Sequence, residues 1–330
     1  MNSPFSLVPT LSVNRIAANV RKLITIRTQK IRASCLLLRF EGVKVWSGNH
    51  SLRRFGPLLL VAIVSWLPHT PLYAADKAVS PADEKLQQEL HAALKSGNPN
   101  YENGGSFQIR DGKLVSIVLM RQKGLHDLSP LSRFSLSSVA AVNLYNSTDV
   151  TNLSPLRGCK VTSLNLERCV RITDLSPLAG MPIRFARIYA CAGLSDLGPL
   201  KDMPLRHLDF GLNPNIADLS PLKGMPLHDL RMDNCPRIQN IAIIRGMPIK
   251  FLSLFGCIGI KDYSPLEDLK LETIYFSPAL LSKDEIQILR RMKSLKKIGT
   301  SWADYRKEPG PAEFWKRYDA GEFRKTIKRP

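Results

Sequence analysis

Acidic residues are nearly missing from the first 75 positions, which hold ten Lys or Arg and one carboxylate, Glu41. No run of 18 apolar residues occurs, so no conventional membrane-spanning helix is expected. Close Cys or His pairs at zinc-ligand spacing are missing. So are Gly-x-Ser-x-Gly, His-Glu-x-x-His and a phosphate-binding glycine loop. These absences leave no hydrolase, metalloprotease or nucleotide-binding signature, and no metal or cofactor is expected.

What is present is basic and unevenly spread. The 330 residues carry a net charge of +19. Residues 76–282 hold 23 basic and 20 acidic side chains, whereas 283–330 hold 14 and 7. The middle is near neutral and the excess sits at the ends. That argues against a long nucleic-acid face, which would place charge on the folded body. An apolar fraction of 44% excludes wholesale disorder.

Residues 1–75 read as an address. Ser51-Leu52-Arg53-Arg54-Phe55 precedes an apolar stretch, Leu58–Leu67, and then Leu72-Tyr73-Ala74-Ala75-Asp76. A charged region, a short apolar region and small residues form the pattern of a secretory signal. Cleavage is expected near Ala74–Asp76 and places the mature chain in the periplasm, on the cell surface or outside the cell. Because such a signal rarely starts fifty residues in, a start at Val43, Val45 or Leu52 is expected. The alternative is that residues 1–50 are a real extension, such as an organelle transit peptide or a disordered arm; for location, the alternative is the cytoplasm.

A repeat dominates the rest. Pro155, Pro177, Pro199, Pro221, Ile243 and Pro265 stand 22 residues apart, and Met181, Met203, Met225 and Met247 keep the same step. Asp174, Asp196, Asp218 and Asp262 do too, with Asn152 and Asn240 in register. Leu164-x-Leu166, Leu208-x-Phe210, Leu230-x-Met232 and Leu252-x-Leu254 have the period of half-buried strands. Ser-Pro-Leu then starts a short helical turn, with Ser as the cap and Pro at the first helical position. Gly180, Gly224 and Gly246 end it. No unit can bury its own apolar face, so the units must stack.

The motif Leu-x-x-Leu-x-Leu-x-x-Cys-x-x-Ile-x-Asp-Leu-x-Pro-Leu, over about residues 114–298, resembles the leucine-rich repeat family, in its 22-residue internalin-like class. Met-Pro stands where that family usually has another Leu. The resemblance implies an α/β solenoid with a parallel concave sheet, short helical turns on the convex side and helical caps. It also implies recognition of a protein or other large ligand on the concave sheet. The segments expected are 1–75 (extension and signal), 76–113 (N-terminal cap), 114–281 (repeats) and 282–330 (C-terminal cap and basic tail).

The caps have their own signals. Ser80-Pro81-Ala82-Asp83 opens an amphipathic helix, Phe107–Leu119 reads as a hairpin turning at Asp111-Gly112, and Ser282 with Glu285 forms a capping box. Leu295-x-x-Ile298 is a last strand, followed by an aromatic helix from Pro311 to Phe323. This tail is similar to one that follows leucine-rich repeats in bacterial proteins, including some with an attached serine/threonine kinase.

Cys169, Cys191, Cys235 and Cys257 share one repeat position with Ser147 and Asn213. That periodicity predicts inward-facing thiols that satisfy backbone groups, not disulfides. Cys159 takes a Met position, and Cys35 leaves with the signal. Asp209-Phe210-Gly211 matches one kinase fragment, but it lies in a repeat strand and no other kinase part accompanies it.

Strand alternation predicts the outward, concave residues. The expected ligand-binding set is Tyr145, Phe185, Arg187, Tyr189, His207, Asp209, Asp229, Arg231, Asp233, Phe251, Phe255 and Tyr275. Phe185, Tyr189, Phe251, Phe255 and Tyr275 are the exposed aromatic anchors beside Arg that protein interfaces use. His207, Asp209, Asp229 and Asp233 could instead form a metal or acid site, but Arg231 lies among them to pair the carboxylates, and a solvated charge cluster is expected. The expected function is that of an exported, non-enzymatic binding protein. The alternative is an intracellular sensor module acting with a separately encoded kinase or other effector. The basic tail is expected to give at most a weak electrostatic contact with an anionic cell surface.

Overall fold

The computed structural model describes residues 80–300 and 310–323; the signal-like stretch and the basic end 324–330 lie outside the described residues. Helix α1 (Pro81–Gly97) begins where Ser80 accepts a hydrogen bond from the Asp83 N–H, 3.1 Å away, and it buries Leu90, Ala93 and Leu94. The hairpin β1 (Ser106–Arg110) and β2 (Lys113–Val118) follows, antiparallel, turning at Asp111 and Gly112, both with positive φ.

From β2 onward the sheet is parallel. It continues through β3 (Ala141–Asn143), β4 (Ser163–Asn165), β5 (Phe185–Arg187), β6 (His207–Asp209), β7 (Asp229–Arg231), β8 (Phe251–Ser253) and β9 (Thr273–Tyr275). Helix α2 (Lys283–Arg291) intervenes before β10 (Lys297–Gly299), and the order of the ten strands is the order of the sequence. The capping box of Ser282 and Glu285 starts α2. Helix α3 (Pro311–Asp319) closes the end, and Phe314 is buried against Phe276 at a ring separation of 5.8 Å. This is an open leucine-rich-repeat solenoid.

The registry follows the 22-residue step. Leu164, Ala186, Leu208, Leu230, Leu252 and Ile274 are consecutive cross-strand partners and form one buried row. Within one coil, Leu208, Phe210, Ile216, Leu219, Leu222, Met225 and Leu227 all point inward and are buried. Stacking coils therefore creates a continuous apolar core that no single coil has.

The shared Cys/Asn/Ser position behaves as its periodicity predicts. Cys169 Sγ donates to the Leu144 carbonyl at 3.0 Å, and Cys191 to Leu166 at 3.0 Å. Asn213 Nδ2 reaches Ile188 O at 2.8 Å, and Cys257 reaches Met232 O at 2.8 Å. Each bond joins one coil to the carbonyl of the preceding one. The five described cysteines are buried and free, and burial pushes the Cys169, Cys191 and Cys235 thiols up to about 12.

The convex turns differ from expectation. They are short 3-10 turns, and where Ser opens the turn it is not the cap; Gly198 and Ala242 open two others. The Asp two residues earlier performs that role. Asp174 Oδ1 accepts from the Ser176 N–H at 2.7 Å, and the Ser176 hydroxyl donates to Oδ2 at 2.8 Å. Asp218 and Asp262 repeat the arrangement with Ser220 and Ser264. A second device is an αL bend two residues past each strand's buried pair, at Asn146, Arg168, Ala190, Leu212, Asn234 and Gly256, where φ runs from 53° to 73°.

Candidate recognition face

Two rows of side chains stand on the concave face, one residue per strand. The first runs Ser163, Phe185, His207, Asp229, Phe251, Thr273; the second runs Asn165, Arg187, Asp209, Arg231, Ser253, Tyr275. Parallel in-register pairing brings each residue beside its neighbour ~4.8 Å away. In the second row the signs alternate: cation, anion, cation.

That alternation builds an ion network. Arg187 donates from Nη1 to Glu167 at 2.9 Å, and its Nε lies 3.5 Å from Asp209. Arg231 grips Asp229 with two bonds of 2.8 Å, a bidentate geometry that only Arg provides. His207 Nδ1 lies 3.6 Å from Asp229. Asp229 is largely buried, which would raise its pKa, yet His207 and Arg231 hold it below the usual carboxylate range.

Asp209 behaves oppositely. Burial pushes it up to about 6, with Arg187, Arg231 and the Gly211 N–H pulling it down and Asp233 adding to the rise. Asp209 and Asp233 are therefore not solvated, contrary to the expectation from strand alternation; they are 6% and 0% exposed. Asp233 accepts from the Ser253 hydroxyl and from the Phe255 N–H. The concave curvature and the flanking side chains exclude water from positions that alternation marks only as outward.

The aromatic residues sit over this network. Phe185 stacks on His207 with ring centroids 4.8 Å apart. The Arg231 guanidinium lies 4.2 Å from the centroid of Phe251. Tyr189 covers Gly211, where an added Cβ would come within 3.1 Å of the ring. Burial, together with Asp209, Asp233 and Glu167, raises the Tyr189 phenol above its ordinary value. Tyr145 is half-buried, with Arg121 5.5 Å over its ring, and Phe255 is half-buried beyond Asp233.

Tyr275 is a correction. It was expected as an exposed anchor, but it is 2% exposed. Its ring leans on Phe251, 5.5 Å away, and occupies the space that a side chain at Gly299 of β10 would fill. The anchors that remain accessible are Phe185, Tyr189, Phe251 and Phe255, each half-buried, with His207 beside them. Strand alternation also places Glu167 and Ser253 on this face, against Arg187 and Asp233, though outside the expected ligand-binding set; Gly211, beneath Tyr189, is the residue it does not mark.

Every carboxylate in the central cluster has a cationic or hydrogen-bonding neighbour on the protein. Among the described residues no group of three His, Cys, Asp or Glu side chains is placed to hold a metal ion, and no helix is long and apolar enough to cross a membrane.

The fold and this face define the class: a leucine-rich-repeat solenoid with an aromatic and ionic concave sheet. No protein-family profile and no curated protein sequence matches the chain. Among solved structures, the chain is similar to the crystal structure of an internalin (inlF) from Listeria monocytogenes str. 4b F2365, at 15% identity, covering 69% of this chain and 95% of that one with a TM-score of 0.32.

Proposed function

We propose that this protein is a non-enzymatic recognition module that binds a protein ligand on the concave sheet between β5 and β8. The observation that carries the reading is the pairing of Phe185 with His207 and of Phe251 with Arg231 above a closed ion network. Rigid aromatic and Arg side chains held by neighbours lose little entropy on binding and are the usual centres of interface energy. The buried charges beneath them fix the rotamers of Arg187 and Arg231 before a ligand arrives. The same proposal places the protein outside the cytoplasm after cleavage near Ala74–Asp76, a reading that rests on the sequence pattern alone.

Full-length protein and its F185A and F251A variants, each recovered from the native host under mild conditions, test the function. A protein partner that copurifies in constant ratio with the wild type should be depleted roughly tenfold or more by either change, as for interface anchors. Equal recovery with all three would refute the concave site.

A further inference from the structure

The folded body is nearly neutral, but its charge is sorted between its two flanks. In five successive coils, the segments that lead into the next strand are 157–162, 179–184, 201–206, 223–228 and 245–250. Together they hold eight Lys or Arg and a single acid, Asp202. The segments that leave the strands, 144–153, 166–175, 188–197, 210–219 and 232–241, hold three basic residues and six acids. One flank of the solenoid is thus a cationic rim that the overall composition hides.

The rim has an internal order. Arg184, Arg206, His228 and Lys250 stand one per coil directly before the strands, and each backbone N–H from Arg206 onward donates to the carbonyl of the one before it. Arg157, Lys201, Lys223 and Arg245 stand in a second row at the ends of the convex turns, all exposed. Arg184 and Arg206 stand in register beside adjacent strands ~4.8 Å apart, where like charges repel one another; in the second row Ala179 separates Arg157 from Lys201. At the last coil Arg245 pairs with Asp268 and Lys250 with Glu272, and Asp174 lies in the field of Arg157 at the first. Arg184, Lys201, Arg206 and Lys223 make no salt bridge with any described residue.

Between the rows runs an apolar stripe. Pro182, Pro204, Pro226 and Pro248 are exposed, one per coil, each flanked in sequence by buried Met and Leu or Ile. The rim segments contain no aromatic residue, so the stacking platforms that read single-stranded nucleic acid are missing. Two cationic rows with an apolar stripe between them match a chain that carries carboxylates at its sides and apolar groups toward the middle.

We propose that this rim is a second docking surface, separate from the concave face, and that its occupant is an acidic, apolar-containing segment of a polypeptide partner lying along the solenoid axis across the five coils. Carboxylates would pair with Arg184 and Arg206 on one side and Lys201 and Lys223 on the other, while apolar side chains cover the prolines. The proposal goes beyond the concave reading and stands if that reading fails.

The test uses the full-length protein and four labelled probes of equal charge: a peptide repeating Glu-Leu-Glu, an all-Glu peptide, a sulfated oligosaccharide and a single-stranded oligonucleotide. The Glu-Leu-Glu peptide is expected to bind most tightly. The triple variant R184E/R206E/K223E should weaken it on the order of tenfold or more, with an unchanged melting curve. R206K should retain wild-type affinity. P204S/P226S should lower the mixed peptide to the all-Glu level. F251A should leave every rim affinity unchanged, which separates this result from the fate of the concave site. Wild-type affinity in the triple variant would assign the binding to the basic ends and overturn the proposal. Tighter binding of the oligosaccharide or the oligonucleotide than of the mixed peptide would overturn the polypeptide occupant.

Discussion

The Arg231 guanidinium lies 4.2 Å from the centroid of the Phe251 ring on the neighbouring strand. The same guanidinium is held edge-on by Asp229 through two bonds of 2.8 Å. A cation fixed over an aromatic face and kept from water contributes on the order of 1–2 kcal/mol. A double-mutant cycle of R231A and F251A, read by chemical denaturation, should therefore give a coupling energy of about 1 kcal/mol. R231K should lose most of it, because an ammonium cannot form the two-pronged contact. Additive effects would show that the two side chains are merely adjacent.

The inward position shared by Cys191 and Asn213 sets a second expectation. Each donates to a carbonyl of the coil before it, at 3.0 Å and 2.8 Å. C191N should be close to neutral, because the fold already uses Asn there. C191A should cost about 1 kcal/mol, the net worth of one hydrogen bond, because the Leu166 carbonyl keeps the Cys169 N–H. Thermal melts of the two variants distinguish these cases. An alanine variant as stable as the asparagine one would contradict the role assigned to the thiol.

Stability should depend on pH through Asp209. Its folded pKa, about 6, exceeds the ~3.9 of an unfolded Asp. The folded state therefore holds that proton more tightly. The contribution is fully present below about pH 4 and is lost as pH rises through about 6, amounting to the order of 3 kcal/mol. D209N mimics the neutral acid and should lack this slope. Its melting temperature should gain on the wild type between pH 4 and pH 7. A gap that stays constant over that range would mean that Arg187 and Arg231 fully offset the burial.

Leu208 is 1% exposed, at the centre of the buried cross-strand row. L208A should cost about 2–5 kcal/mol through the cavity it leaves. The loss should spread to adjacent coils, since each is stabilised by its neighbours. Hydrogen exchange should accelerate at the amides of β5 and β7 as well as β6. Acceleration confined to β6 would contradict the coupled stack.

Much of this fold is legible in the sequence because its rules are local and repeat. The 22-residue step fixes the strands, the Cys/Asn/Ser position and the glycine that ends the convex turns at Gly158, Gly180, Gly224 and Gly246, a place that Asp202 takes in one coil. The caps at Ser80 and Ser282 follow from their own few residues. The concave site is less legible because burial there depends on neighbours a full coil away. Tyr275 is covered because residue 299 is a glycine, and Asp209 is desolvated beneath Arg187 and Arg231 from the flanking strands. The role of Asp174 on its turn was assigned to Ser176 because Ser-Pro is a strong helix-start signal, whereas a two-residue Asp turn serves a single 3-10 turn better. The αL bend has a readable trace in Asn146, Asn234 and Gly256, masked by Arg168, Ala190 and Leu212 at the same step.

The central claim is that the concave sheet is the surface that meets a protein. Photo-crosslinking in the native host tests it most directly, with a benzophenone side chain introduced at Phe185 or Phe251, or at exposed Ala242 on the convex side. The account predicts a protein adduct of one defined mass from positions 185 and 251 and none from 242. An adduct as abundant from Ala242 as from Phe251, or none from either concave position, would contradict it.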